Sequence, residues 1–225
     1  MLSGPAAGVA AALMYARITD GIFLEVGGTS TDISAIKNGK SLVKTATVGG
    51  HRLYIRTLDV RTVAIAGGSV PRLQGSRIED VGPRSAHIAN LGYASFTEIP
   101  GGAAITMSSV QPIHKDPADY LKLSCGDKNF TVTPTCASNL LGIVPEDSSA
   151  RGVMETIHAA FKVVGEALGK TPEQAAEAVL DRSFPKAANP VEDLIEEYKL
   201  DRNLLTLSGG GGGAWAIVPY TAKKM

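Results

Sequence analysis

The run Glu25-Val26-Gly27-Gly28-Thr29-Ser30-Thr31-Asp32 lies between two apolar stretches that read as strands. A tight turn of this kind presents successive backbone N–H groups, and its glycines remove side chains that would obstruct a phosphate. Thr29, Ser30 and Thr31 add hydroxyl donors, while Glu25 and Asp32 flank the turn, where a carboxylate can hold Mg²⁺ through its waters. The same residues also suit a plain polar hairpin with no ligand. A second turn, Gly209-Gly210-Gly211-Gly212-Gly213, stands between a strand ending at Leu207 and a helix starting at Ala214. A helix N-terminus behind glycines is a ready anion site, and a glycine run loses much chain entropy unless close approach is required. The candidate binding residues are therefore Gly27, Gly28, Thr29, Ser30, Thr31, Gly209, Gly210, Gly211, Gly212 and Gly213, with Glu25 and Asp32 as candidate metal-side groups.

Other patterns are weaker. Gly209, Gly211 and Ala214 fit G-x-G-x-x-A, but the residues after them hold no second strand or acidic ribose partner for a βαβ unit. Gly39-Lys40-Ser41 resembles the end of a P-loop, yet Ser34 stands where its first glycine belongs. His51, His87, His114 and His158 lack metal-ligand spacing. Cys125 and Cys136 are too few for zinc; they read as buried reduced thiols, with a single disulfide as the alternative. No Ser/His/Asp grouping follows from spacing.

The elements that must position these turns follow from pattern. Ser3-Gly4-Pro5 opens an Ala-rich helix, with Ser3 able to cap it. Strands are expected at Ile22–Val26, Thr31–Ile36 and Leu42–Val48, with a hairpin at Asn38-Gly39. Leu58 to Ala66 has near-helical spacing and ends at Gly67-Gly68. Residues 70–141 read as a β-rich insertion, with hairpins at Leu73–Ile78 and Tyr120–Thr133 and an irregular stretch from Asn90 to Lys115. Residues 146–200 read as helical: an apolar stripe at Val153, Ile157, Ala160, Phe161 and Val164, a capping box at Thr171-Pro172-Glu173-Gln174, and a further short helix from Asn189-Pro190. A strand at Asn203–Leu207 should lie beside Ile22–Val26, so that both glycine turns open on one face. The fold class is α/β, a mixed sheet with packed helices and a helical C-terminal third.

The composition narrows the partners. The 225 residues carry 22 Lys+Arg against 22 Asp+Glu, without the basic surplus that captures nucleic acid. The longest apolar stretch, Ala6 to Ala16, is too short to span a bilayer and lacks a basic n-region. A cytoplasmic location with neither nucleic-acid nor membrane partner is expected.

Four segments in order carry a family resemblance: Ser3-Gly4-Pro5-Ala6-Ala7-Gly8, Phe23–Ser34, Leu58–Ser69 and Val81-Gly82-Pro83-Arg84-Ser85-Ala86. Together they resemble the hydantoinase/oxoprolinase family, of the N-methylhydantoinase A subunit type, most closely over about the first ninety residues. That resemblance implies a ribonuclease-H-like lobe of the actin-like ATPase superfamily, in which two lobes clamp ATP and Mg²⁺. Gly27 to Asp32 would match the second lobe's phosphate loop, and Gly209 to Gly213 the adenosine-side loop. It implies a single lobe over residues 1–225, with an N-terminal lobe or second subunit supplying the other phosphate loop and room for a homo-oligomer. The implied activity is ATP-dependent hydrolysis of a small cyclic amide. The alternatives are a chaperone-like ATPase switch acting on a partner enzyme and a degenerate, non-catalytic assembly domain. Three departures stand out: Glu25 replaces the usual Asp, His87–Tyr93 replaces a Gly/Pro-rich segment, and Pro134 follows Thr133 where an Asp is expected.

Overall fold

The computed structural model describes residues 3–225, and the side chains of all of these except 3, 47 and 48. Helix α1 (Ser3–Tyr15) leads to β1 (Gly21–Val26), β2 (Thr31–Lys37) and β3 (Lys40–Ser41). A ribbon of β4 (Val43–Val48) and β5 (His51–Leu58) follows, then β6 (Val60–Val63), β7 (Ser69–Gln74), β8 (Arg77–Ser85) and β9 (Gly92–Tyr93). After a 3₁₀ turn at Ala94–Phe96 come β10 (Thr106–Val110), β11 (Tyr120–Cys125) and β12 (Lys128–Thr131). The remainder is α2 (Pro134–Leu140), α3 (Met154–Leu168), α4 (Pro172–Tyr198), β13 (Thr206–Gly210) and α5 (Ala214–Lys224).

Alternation along β1 sets the layers. Ile22, Leu24 and Val26 are fully buried in the main core, while Phe23 turns to the other face and packs with Val9, Ala12, Ile18 and Ile36 under α1. The first sheet runs β13-β1-β2-β3, with β6 also on β2. Strands β1 and β13 are parallel, with Leu24 opposite Gly209 and Glu25 opposite Gly210. The second sheet runs β8-β7-β11-β12-β9, with β10 on β11. One core joins Ile33 of the first sheet to Val81, Leu123 and Phe130 of the second and to Phe161 and Val191 of the helices, so the β-rich middle shares its interior with the rest. Cys125 and Cys136 are free and buried. Among the described residues, no helix is long and apolar enough to cross a membrane.

Several local readings hold. Asn38 and Gly39 both take positive φ between β2 and β3, as a two-residue hairpin of the I′ kind requires. Thr171 accepts from the Gln174 N–H while the Gln174 side chain accepts from the Thr171 N–H, a complete capping box. Of the expected helical stripe, Ile157, Ala160, Phe161 and Val164 are fully buried in α3, whereas Val153 is its N-cap and is exposed. The Ser3 cap concerns a side chain outside the described residues; Ser3 itself lies inside the helix.

Others change. Leu58–Ala66 contains the strand β6, not a helix: Val60, Thr62 and Val63 are β-branched, and pairing with β2 places Thr62 opposite Asp32. Asn189-Pro190 starts no new helix. Helix α4 runs unbroken through Pro185 and Pro190, each of which costs about 3 kcal/mol in a helix interior. Burial of Val179, Leu180, Ala187, Val191 and Leu194 along one face offsets that penalty. The last strand is shifted from Asn203–Leu207 to Thr206–Gly210, because Gly209 and Gly210 continue the pairing with β1.

At the foot of the β4–β5 ribbon, Asp59 is buried among Lys44, Arg61 and Tyr198, whose hydroxyl donates to it at 2.7 Å. Burial alone would raise this carboxyl, but hydrogen bonds from Lys44, Tyr198 and Arg61 outweigh it and hold the group below the ordinary value. A folded value below the unfolded one stabilises the native state above the ordinary carboxylate range, about pH 4, and that stability is lost as pH falls through the folded value. Denaturant unfolding followed from about pH 5 down to about pH 2 should therefore show an acid-side loss of stability that Asp59→Asn diminishes.

Candidate functional site

Three backbone turns meet at the C-terminal end of β1. The Gly67 N–H donates to the Gly27 carbonyl at 3.1 Å, the Gly68 N–H to the Gly28 carbonyl at 3.1 Å, and the Gly213 N–H to the Val26 carbonyl at 2.9 Å. Such contacts between main chains leave no room for side chains. A Cβ on Gly213 would lie 2.5 Å from the Gly27 oxygen and 3.1 Å from the Gly67 nitrogen. Gly211 combines a φ of +86° with a Cβ position 2.5 Å from the Val26 oxygen, so it is excluded to other residues twice over. Both sequence-predicted turns thus open together, on a cleft of about 350 Å³.

The cleft is lined by Gly27, Gly28, Gly212 and Gly213 from the expected turns. The expected residues divide around it. Gly209 and Gly210 lie within β13, where Val218 and Phe23 fill the space beside them. Thr31 is buried and donates its hydroxyl to the Ile65 carbonyl at 2.6 Å, and the Thr29 hydroxyl pairs with Ser85 at 2.9 Å. The Ser30 carbonyl closes the turn by accepting from the Gly27 N–H at 3.1 Å. Thr29, Ser30 and Thr31 therefore shape the turn, and none of them lines the cleft.

Glu25 and Asp32 are cross-strand neighbours on the face that carries α1. They lie outside the cleft lining. Asp32 accepts the Thr62 hydroxyl. The Glu25 Oε2 is buried without a hydrogen-bond partner, facing Gly4 and Gly8 of α1. Two adjacent carboxylates with one orphaned oxygen suit a hard cation or its water, so this donor set fits Mg²⁺. Among the described residues no group of three or more His, Cys, Asp or Glu is gathered as a metal cage.

Spacing along the chain does not single out Gly67, Gly68, Tyr93 or Thr135 as site residues. The Gly67-Gly68 pair is the available signal, but by local pattern alone it marks the end of a Leu58–Ala66 helix. Gly68 is needed because a Cβ there would overlap the Tyr93 hydroxyl at 1.7 Å. Thr135, at the start of α2, donates both its hydroxyl and its N–H to the Gly67 carbonyl, at 2.8 and 3.1 Å. Tyr93 lies 5.8 Å from Phe96, ring centre to ring centre, and both rings line the cleft. Burial, with the Cys136 sulfur adding to it, pushes the Tyr93 phenol up and keeps it protonated as a donor. From α2, Asn139 donates to the Thr135 and Ala150 carbonyls, both at 2.9 Å, tying two walls of the cleft together.

Gly213→Ala should cost about 1–3 kcal/mol in urea unfolding, because its Cβ meets backbone. Gly212→Ala, whose Cβ meets nothing within 4 Å, should leave stability within about 0.5 kcal/mol of the parent.

The chain is 27% identical over 227 residues to the caprolactamase subunit alpha of Pseudomonas jessenii, covering 99% of this chain and 29% of that protein. A solved structure of the ATP-dependent caprolactamase from Pseudomonas jessenii superposes with a TM-score of 0.67 at 25% identity, over 100% of this chain and 29% of that one. A nucleotide-free acetone carboxylase superposes with a TM-score of 0.64 at 18% identity, over 99% and 28%. The chain thus spans less than a third of the length of these relatives, and the α/β fold is of the actin-like ATPase type. With its sequence matched from residue 1 to residue 225, the chain belongs to the hydantoinase/oxoprolinase family.

Proposed function

We propose that this chain is the nucleotide-binding lobe of an ATP-dependent cyclic-amide hydrolase. The observation that carries the reading is the convergence of three side-chain-free turns on one cleft, held by backbone hydrogen bonds and walled by aromatic rings. Kinship with an ATP-dependent caprolactamase supports the substrate class, a lactam or related ring.

Gly27, Gly28, Gly212 and Gly213 would admit phosphate oxygens to main-chain N–H groups, and Phe96 and Tyr93 offer a flat apolar wall to a base. Gly209, Gly210 and Gly211 act through packing, by letting β13 and α5 approach β1. Thr29, Ser30 and Thr31 keep the first turn in shape. Glu25 and Asp32, on the α1 face and outside the cleft lining, would hold Mg²⁺ through its waters. ATP, when bound, supplies a phosphoryl group that can turn an amide oxygen into a leaving group. An N-terminal lobe or second subunit would complete the clamp; that the caprolactamase relative is named a subunit alpha supports a second polypeptide. A cytoplasmic location fits this reading.

One observation favours a second reading, a domain retained for assembly. Gly67, Gly68, Gly211 and Gly213 are each demanded by their protein neighbours, so packing alone accounts for them. Gly212 separates the two readings, because it lines the cleft and a Cβ there meets nothing. Calorimetric titration with Mg-ATP should show binding that Gly212→Val weakens at least about tenfold, or roughly 1.4 kcal/mol, with an unchanged unfolding midpoint. Absence of binding to the parent chain, or equal binding by the variant, would leave the assembly reading standing.

A further inference from the structure

Beside the glycine cleft lies a larger one of about 810 Å³, and Phe96 forms a wall of both. Two cations line it, Lys128 and Arg151, and among the described residues neither has a carboxylate within ion-pair reach. The Lys128 ammonium donates to the Glu98 main-chain carbonyl, which holds it in place and leaves two N–H groups over. Arg151 makes one long bond, 3.4 Å from Nη1 to the Val144 carbonyl, so most of its planar donor fork is unused. Glu98 also belongs to the lining, so two cationic residues share the cleft with one acidic residue.

Helix α3 begins at this wall. Val153 is its N-cap residue, and no side chain caps the helix, so its first-turn N–H groups point outward without a capping partner, although Glu155 in the same turn offsets part of their positive charge. Ser95 supplies an independent sign. It lines the cleft, is fully buried, and its Oγ has no hydrogen-bond partner. Buried hydroxyls are rarely left unpaired, because the desolvation goes unrepaid. The surroundings hold Ser95 in this position. A Cβ on Gly152 would lie 2.6 Å from the Ser95 Cβ, the Val153 N–H donates to the Ser95 carbonyl at 2.9 Å, and Asn139 Oδ1 accepts from the Gly152 N–H at 3.0 Å.

We propose that this cleft binds a small oxyanion, a carboxylate or a phosphate group, through Arg151 and Lys128, with the Ser95 hydroxyl as a further donor. Glu98 in the lining favours a singly charged group over a polyphosphate. None of Arg151, Lys128 and Ser95 lines the glycine cleft, so the site stands or falls apart from the nucleotide reading.

The test is a titration of the chain with inorganic phosphate, and separately with acetate, at fixed ionic strength, following backbone amide NMR shifts. At least one anion should produce saturable shifts at Ser95, Gly152 and Val153, and which one does so assigns the group. Arg151→Gln should weaken that binding at least tenfold, whereas Gly212→Val should leave it unchanged. Lys128→Gln serves as the second variant should Arg151→Gln fail to fold, and should weaken binding at least threefold. No saturable shift with either anion overturns the proposal. So does binding untouched by the Arg151 and Lys128 substitutions but abolished by Gly212→Val, which would move the anion to the glycine cleft.

Discussion

Everything at the centre of this molecule depends on main chain touching main chain. Val26 and Gly27 give their carbonyls to the amides of Gly213 and Gly67, which come from opposite ends of the middle and C-terminal parts of the sequence. Hydrogen bonds of this kind need donor and acceptor about 2.9–3.0 Å apart, so the backbones cannot be separated by even one methyl group. The glycines are therefore a geometric condition of the fold before they are a condition of any ligand. Because β13 pairs in parallel with β1, the last strand and α5 are locked to the first strand of the sheet, and the chain closes on itself at this seam.

The seam also explains the placement of the helices. Helix α5 leaves directly from Gly213 and buries Ile217 and Val218 against the face of β1 that carries Ile22, Leu24 and Val26. Helix α2 is fixed from the other side, through Thr135 on the Gly67 carbonyl and through the Ser138 hydroxyl on the Ala216 carbonyl at 3.2 Å. Buried hydroxyls with full partners cost little and specify position more narrowly than apolar contacts do. Asn139 extends the same logic to residues 150–152, of which Ala150 lines the glycine cleft and Arg151 and Gly152 line the larger one.

How much of this could be read beforehand follows from the range of each signal. The Asn38-Gly39 hairpin, the Thr171 capping box and the α3 stripe are local, and each was readable because its physics lies within a few residues. The pairing of the last strand with β1 is expected if both glycine turns are to open on one face, and the pairing is there. What misled were segments whose long-range contacts outweigh local pattern: β6, made a strand by β2, and α4, carried through two prolines by the burial of one face. Within the candidate site, both glycine turns were visible, but Gly67, Tyr93 and Thr135 were not. Their roles arise from contacts 25 and 68 residues apart in sequence (Gly68 with Tyr93, and Gly67 with Thr135), for which spacing along the chain carries no record.

Helix α1 shows how a longer acid can be accommodated. Where the resemblance leads one to expect aspartate, Glu25 carries an extra methylene, and its carboxyl is received by Gly4 and Gly8, whose ideal Cβ positions lie 3.7 and 3.1 Å from its oxygens. A Cβ at position 8 would also press on the Phe23 ring at 2.6 Å. The hollow in the helix and the length of the acid thus form a matched pair. Filling the hollow at position 8 would press on both the Phe23 ring and the Glu25 carboxylate, so the acid keeps its seat only while that position carries no side chain.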